Sequence, residues 1–320
     1  MSRHALVTGA TGGLGRKVVG QLLGAGYRVT ATGRDAVIGA TLGTPFVRAD
    51  LVSNPLDDLV AGASCLPPRC AVIALGLWAR FSRNQCRCND PVARRGSESG
   101  RSRVHLQFDA VDFRRGADRI ELTGDSPVAS PFANAYAATK YVGECAVLDA
   151  DVAGFRTVSL RPRAIVGPHD TVLLPRLMRA AGRRRFPLPG GGGALIEPID
   201  VRDAAAAFIA ADQPRERAGG QAINLSGGDP RTVHELLAII FAHHKQELRT
   251  VAVPVGLAMA VAGMMERVAA LLPGYPEPPA TRYTIKTLAF SQTMRLDKAK
   301  ALLDWTPLYG VEAMIDYALA

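Results

Sequence analysis

Cysteine is scarce in this chain, with five in 320 residues. They lack the regular spacing of a disulfide framework, so a reducing, cytoplasmic setting is expected. No apolar run is long enough to span a bilayer. No leader of the secretory kind precedes the first apolar segment, which agrees with that setting. No internal repeat and no low-complexity linker occurs, which excludes solenoids and long tethers. Acidic residues are the minority charge, 29 against 38 basic, for a net charge of +9. Such a balance normally raises the question of a nucleic-acid partner. Here the excess is local. Residues 63–115 hold ten arginines, no lysine and four acidic residues, a net of +6, together with Cys65, Cys70, Cys86 and Cys88.

What is present is an α/β pattern. With 48% apolar residues, the chain can bury one large α/β domain, or one domain plus a smaller lobe. Residues 4–9 form an apolar, β-branched run. Leu14, Val18, Val19, Leu22 and Leu23 follow at helical spacing. Residues 27–32 and 46–50 read as further strands. Strand, helix and strand within about thirty residues make a βαβ unit and imply a parallel sheet. The second half continues with strands at 157–161 and 222–226 and helices at 172–181 and 203–211. Thr232 caps a helix over 233–243, with Glu235 three residues on. An apolar helix over 255–272 is expected to be broken at Gly256 and Gly263.

Gly9, Gly12 and Gly15 have the spacing G-x-x-G-x-x-G between the first strand and the first helix. A sharp strand-to-helix turn and close approach of a pyrophosphate to backbone N–H groups both exclude side chains there. Many dinucleotide folds end the second strand on a carboxylate that takes the ribose 2′-OH. This strand ends Thr32-Gly33-Arg34. A guanidinium pairs with phosphate bidentately, so Arg34 favours the 2′-phosphate of NADP, although Asp35 is adjacent and NAD stays open. Further on, Tyr136-Ala-Ala-Thr-Lys140 sets a phenol and an ammonium four apart on one helix face. The ammonium favours phenolate, and such a tyrosine can move a proton at a carbonyl during hydride transfer.

Together these motifs resemble the extended short-chain dehydrogenase/reductase family. The resemblance rests on Thr8-Gly9-x-x-Gly12-x-x-Gly15, Asp50, Tyr136-x-x-x-Lys140 and Leu160-Arg-Pro-Arg-Ala-Ile-Val-Gly-Pro168. It covers residues 1–62 and 116–320. Phe132-Ala-Asn-Ala-Tyr136, Asp170-Thr-Val-Leu-Leu-Pro175 and the segment 281–291 are most similar to the branch of 3β-hydroxysteroid dehydrogenase/isomerases and bacterial 2-alkyl-3-oxoalkanoate reductases. The resemblance implies a Rossmann-type, doubly wound parallel sheet in residues 1–167. Residues 168–320 would be mainly a small C-terminal substrate lobe, with some segments returning to the Rossmann core. It implies Tyr136 as general acid/base and Lys140 on the nicotinamide ribose. Gly9, Thr11, Gly12, Gly13, Leu14 and Gly15 would cradle the pyrophosphate, with Asp50 and Leu51 near the adenine. Pro162 and Ile165 would lie along the carboxamide. A homodimer through the helix carrying Tyr136 follows from the same resemblance.

Residues 63–115 depart from the family pattern. The serine expected at the end of the fifth strand and the alanine-rich loop after the fourth are both missing. The run from Cys65 through two prolines to Cys70 is a poor start for a buried strand. Ser126 and Ser130 precede prolines in a loop and are poor substitutes for the serine. Three readings stand. A compensated frameshift would restore a family-like fourth strand, helix and serine-bearing fifth strand, and would leave the arginines as a by-product rather than a nucleic-acid footprint. A divergent, arginine-rich insertion is the second. A zinc site from the four cysteines is the third, although their spacing is not the usual C-x-x-C, and no metal is expected.

The function expected is an NAD(P)-dependent oxidoreductase acting on a hydroxyl or ketone of a hydrophobic, steroid-like or long-chain substrate. The apolar 255–272 segment supports that substrate class, with peripheral membrane contact. Two competitors stand beside it. One is a nucleotide-sugar epimerase or dehydratase of the same fold, favoured by Arg176, Arg179 and Arg183 to Arg185. The other is a dinucleotide-binding protein impaired by the missing serine.

Overall fold

A computed structural model describes residues 3–50, 70–75, 103–107, 116–128, 132, 135–149, 151–152, 156–170, 186–212, 218–273 and 278–320, without the side chains of 70–75, 103–107, 135, 136 and 139. The chain runs β1 (His4–Thr8), α1 (Gly13–Gly24), β2 (Arg28–Gly33), α2 (Ala36–Ala40), β3 (Phe46–Arg48), β4 (Cys70–Leu75), β5 (Arg103–Gln107) and β6 (Arg119–Leu122). It continues with α3 (Ala135–Leu148), β7 (Arg156–Pro162), β8 (Ile165–Val166), β9 (Phe186–Pro189), β10 (Leu195–Ile196), β11 (Ile199–Asp200), α4 (Val201–Ala211) and β12 (Gln221–Leu225). Last come β13 (Arg231–Thr232), α5 (Val233–His243), β14 (Thr250–Val253), α6 (Val255–Leu271), α7 (Arg282–Ala289), β15 (Gln292–Met294) and α8 (Val311–Leu319).

The main sheet has the order β12-β7-β5-β4-β1-β2-β3, with every neighbouring pair parallel. The chain winds outward from β1 to β3, returns to β4 on the other side of β1, and winds outward again. That is the doubly wound Rossmann order, with its switch point beside β1. β1 is buried along its whole length because neighbours flank it on both edges and helices cover its faces. Val18, Val19 and Leu22 of α1 and Ala204 and Phe208 of α4 pack with Ala5, Val7, Val158, Leu160 and Ile223. On β7, Ser159 and Arg161 alternate with Val158 and Leu160 and bond Glu144 of α3. Thus α3 covers the face opposite α1 and α4.

Two expectations are corrected. Residues 63–115 do supply sheet strands, since β4 and β5 both lie there, next to β1 and β7 in register. The physical reason is local. Cys70-Ala-Val-Ile-Ala-Leu75 is a six-residue apolar run, long enough for a buried parallel strand whatever flanks it. The residues as written form both strands, so no shift of reading frame is needed to supply them. The second correction concerns α6, which runs unbroken through Gly256 and Gly263. An interior glycine costs a helix only about 1 kcal/mol, which seventeen residues absorb.

The fold class and the capping box of α5 agree with expectation, with Thr232 and Glu235 bonding each other's backbone. A second core joins Phe186, Leu188, Val233, Leu237, Ile240, Met314 and Ile315 from β9, α5 and α8. The expected helix over 172–181 lies outside the described residues, as do Cys65, Cys86 and Cys88. No described helix is long and apolar enough to cross a membrane. The outer face of α6 nonetheless exposes Leu257, Val261, Met264, Val268 and Leu271, while Ala262 and Ala269 face inward.

Candidate functional site

Because the main sheet is parallel, the strands' C-terminal ends share one edge, and open α/β sheets bind ligands along it at the switch point. The glycine turn lies there. Gly9 follows β1 with φ 64°, a conformation that glycine adopts without strain. Its carbonyl accepts from Gly12 N at 3.1 Å, closing the turn into α1. A β-carbon on Gly15 would overlap the Gly9 carbonyl oxygen and sit 2.7 Å from Ala10 Cα. Only glycine lets the helix start this close to the strand. The cap residue of α1 is Gly12, with no side-chain cap and no acidic residue in the first turn. Gly13, Leu14 and Gly15 therefore present backbone N–H groups that the helix itself leaves without partners. These features suit a pyrophosphate.

Beside the turn is a cavity of about 880 Å³ lined by Gly9, Thr11, Gly12, Thr32, Gly33, Arg34, Asp35, Arg48, Ala49 and Asp50, with the first residues of α2. Arg34 is exposed on this wall. Asp35 is committed elsewhere, since its carboxylate caps α2 by accepting from Ile38 N at 3.0 Å. Arg48 also lines the cavity, and reading the sequence missed it. The signal was its position at the end of the third strand, whose pairing partner is Gly33.

At the other end of the edge, α3 and β7 run in opposite directions. Thr157 Oγ1 donates to Val147 O at 2.8 Å, and Ser159 Oγ and Arg161 Nε donate to Glu144 at 2.6 and 2.8 Å. A helix rises about 1.5 Å and a strand about 3.3 Å per residue. Continuing that register sets Lys140 level with about residue 162, and the backbone of Tyr136 about one helical turn beyond. Lys140 is buried. Both residues thus stand at the ligand edge on one helix; the side chain of Tyr136 lies outside the described residues, as do Leu51, Ser130, Arg176, Arg179 and Arg183 to Arg185.

Pro162 is buried at the end of β7, and Ile165 is half-buried at the start of β8. Between them Ala164 has φ 41°, uncommon for a residue with a side chain. Ile199 N holds this bend by donating to the Arg163 and Ala164 carbonyls at 3.1 and 3.3 Å. Strain of this kind clusters at ligand sites. Arg163 Nε is buried there without a hydrogen-bond partner. Ser126 is used locally, its Oγ accepting from Thr123 N at 2.9 Å. β5 ends Leu106-Gln107, with no serine in the strand. Among the described residues, no group of histidine, cysteine and acidic side chains could hold a metal.

With this geometry in view, the chain can be compared with known proteins. Residues 113–226 match the model of the NAD dependent epimerase/dehydratase family. The chain is 31% identical to a 2-alkyl-3-oxoalkanoate reductase of Shewanella oneidensis, over 97% of this chain and 84% of that protein. It is 28% identical to 4-hydroxy-2-methyl-3-oxo-4-farnesyl-3,4-dihydroquinoline-1-oxide ketoreductase of Stigmatella aurantiaca, over 97% and 95%. Its fold is similar to an epimerase structure from Methanothermobacter thermautotrophicus, with a TM-score of 0.73, 18% identity and 99% and 91% of the two chains covered.

Proposed function

Because this chain belongs to the extended short-chain dehydrogenase/reductase family, the NAD-dependent epimerase/dehydratases, we propose that it is an NADP-dependent oxidoreductase that interconverts a ketone and a hydroxyl on a hydrophobic, long-chain substrate. The observation that carries this reading is one sheet edge with the glycine turn at one end and the helix of Tyr136 and Lys140 at the other. Bound nicotinamide supplies or accepts the hydride. The chain's own residues do the rest. The first-turn N–H groups of α1 hold the pyrophosphate, and Asp50 lies on the adenosine side. Arg34 takes the 2′-phosphate. Lys140 fixes the nicotinamide ribose, and Pro162 and Ile165 border the carboxamide. Tyr136 gives a proton to the substrate oxygen during reduction and takes it back during oxidation. Residues from 168 onward supply most of the substrate lobe.

Turnover tests the reading. NADPH oxidation is expected with 3-oxo acids carrying long alkyl chains; no oxidation with them, together with epimerisation or dehydration of UDP-glucose without net change in the cofactor, would support the epimerase reading and overturn this one. One observation favours a slower enzyme. Gln107 closes β5 where the resemblance expects a serine, so tight NADPH binding with weak turnover is the signature of the impaired reading.

The apolar outer face of α6 supports contact with a lipid surface. Arg282 is paired with Glu266 at 2.8 Å, and Arg267 is exposed on the same helix, so the one cationic charge left over suits anionic lipid. Anionic vesicles should sediment the protein and release a Met264→Asp variant; equal sedimentation would sink this contact. Val142, exposed on α3, is compatible with a homodimer through that helix.

A further inference from the structure

We propose that Arg48 is a second ligand for the 2′-phosphate, so that Arg34 and Arg48 form a two-guanidinium clamp that sets the preference for the phosphorylated cofactor. The inference rests on the NADP reading and deepens it.

The pairing of β2 with β3 carries the argument. Arg48 is the in-register partner of Gly33, and the two strands are parallel. Paired residues of a parallel ladder point to the same face of the sheet. The direction at Gly33 is known from what a side chain there would meet. Its β-carbon would lie 2.7 Å from Thr11 Oγ1, the second residue of the glycine loop after Gly9. Arg48 therefore leaves the sheet on the face of the glycine turn. Gly33, with no side chain, lets the Thr11 side chain close against the end of β2. Ala49 N donates to Gly33 O at 2.9 Å, which holds the end of β3 against the end of β2.

Arg34 and Arg48 are both exposed and both line the same cavity. Two carboxylates share that wall. Asp35 is held as the cap of α2, and Asp50 is half-buried two residues beyond Arg48. A dianionic phosphate between the guanidiniums would neutralise two like charges that otherwise face one cavity. It would also accept several bonds in which both partners are charged, which a neutral ribose hydroxyl cannot.

The test separates the clamp from the reading beneath it. Adenosine 2′,5′-bisphosphate and 5′-AMP differ only in the 2′-phosphate, and their affinities for the full chain can be measured by calorimetry. Wild type is expected to favour the bisphosphate. Arg48→Gln and Arg34→Gln should each reduce its affinity roughly ten-fold or more and leave 5′-AMP unchanged, the size of a lost charged hydrogen bond. Both side chains are exposed, so neither change threatens the fold. If only Arg34→Gln loses affinity, the clamp is overturned and the NADP reading stands. If wild type shows no preference for the bisphosphate, both fall.

Discussion

A Tyr136→Phe variant is expected to bind NADPH as tightly as wild type and to lose turnover by about 10²- to 10⁴-fold, the range that a positioned general acid or base contributes. The bonds from Thr157, Ser159 and Arg161 fix how α3 descends along β7, and the register carries Lys140 and then Tyr136 to the edge where the glycine turn also opens. Phenylalanine keeps the ring and removes the hydroxyl, so shape and helix are retained while the proton is lost. Single-turnover reduction of a long-chain 3-oxo acid would measure the effect separately from product release. Full activity in Tyr136→Phe would remove tyrosine from the chemistry. The NADPH affinity is the control. A large loss there would mean that the ring positions the cofactor instead.

What could be read from the sequence was what local chemistry decides. The glycine turn, the first βαβ unit and the Thr232–Glu235 capping box each depend on residues within a few positions of one another, and each stands as expected. β4 and β5 were obscured because their flanks are rich in arginine, glycine and proline. The strands themselves are short, and what makes them strands is pairing with β1 and β7, far away in the chain. Arg48 was missed for the same reason: its relation to Arg34 exists only through the β2–β3 register. Asp35 shows the converse. It sits where a ribose-binding acid could sit, and only the structure reveals that its carboxylate is consumed in starting α2. At α6, composition suggested a break that the helix does not make, because two glycines cost less than seventeen helical residues gain.

The second large effect should appear in stability, at the pair that docks α3. Glu144 and Arg161 have side chains only 1% and 5% exposed. Arg161 donates to both carboxylate oxygens, at 2.8 Å from Nε and 2.5 Å from the terminal nitrogen, and to Gly124 O at 3.0 Å. Ser159 Oγ donates to the same carboxylate at 2.6 Å. Removing one charge leaves the other buried without its counter-ion, a loss of about 3–5 kcal/mol. Glu144→Gln keeps size and shape, so its cost reports the charge rather than a cavity. Against a native stability of about 5–15 kcal/mol, that would shift the urea midpoint strongly. A loss below about 1 kcal/mol would mean that water reaches the pair and screens it. The double variant Glu144→Leu with Arg161→Met sharpens the test. Replacing both charges by apolar groups of similar volume is often neutral or stabilising, so the pair together should cost far less than Glu144→Gln alone. If the double variant regains stability but not turnover, the ion pair does more than hold the fold. Its geometry then sets where α3 presents Tyr136 and Lys140, and the same bonds that fix the helix against β7 position the proton donor.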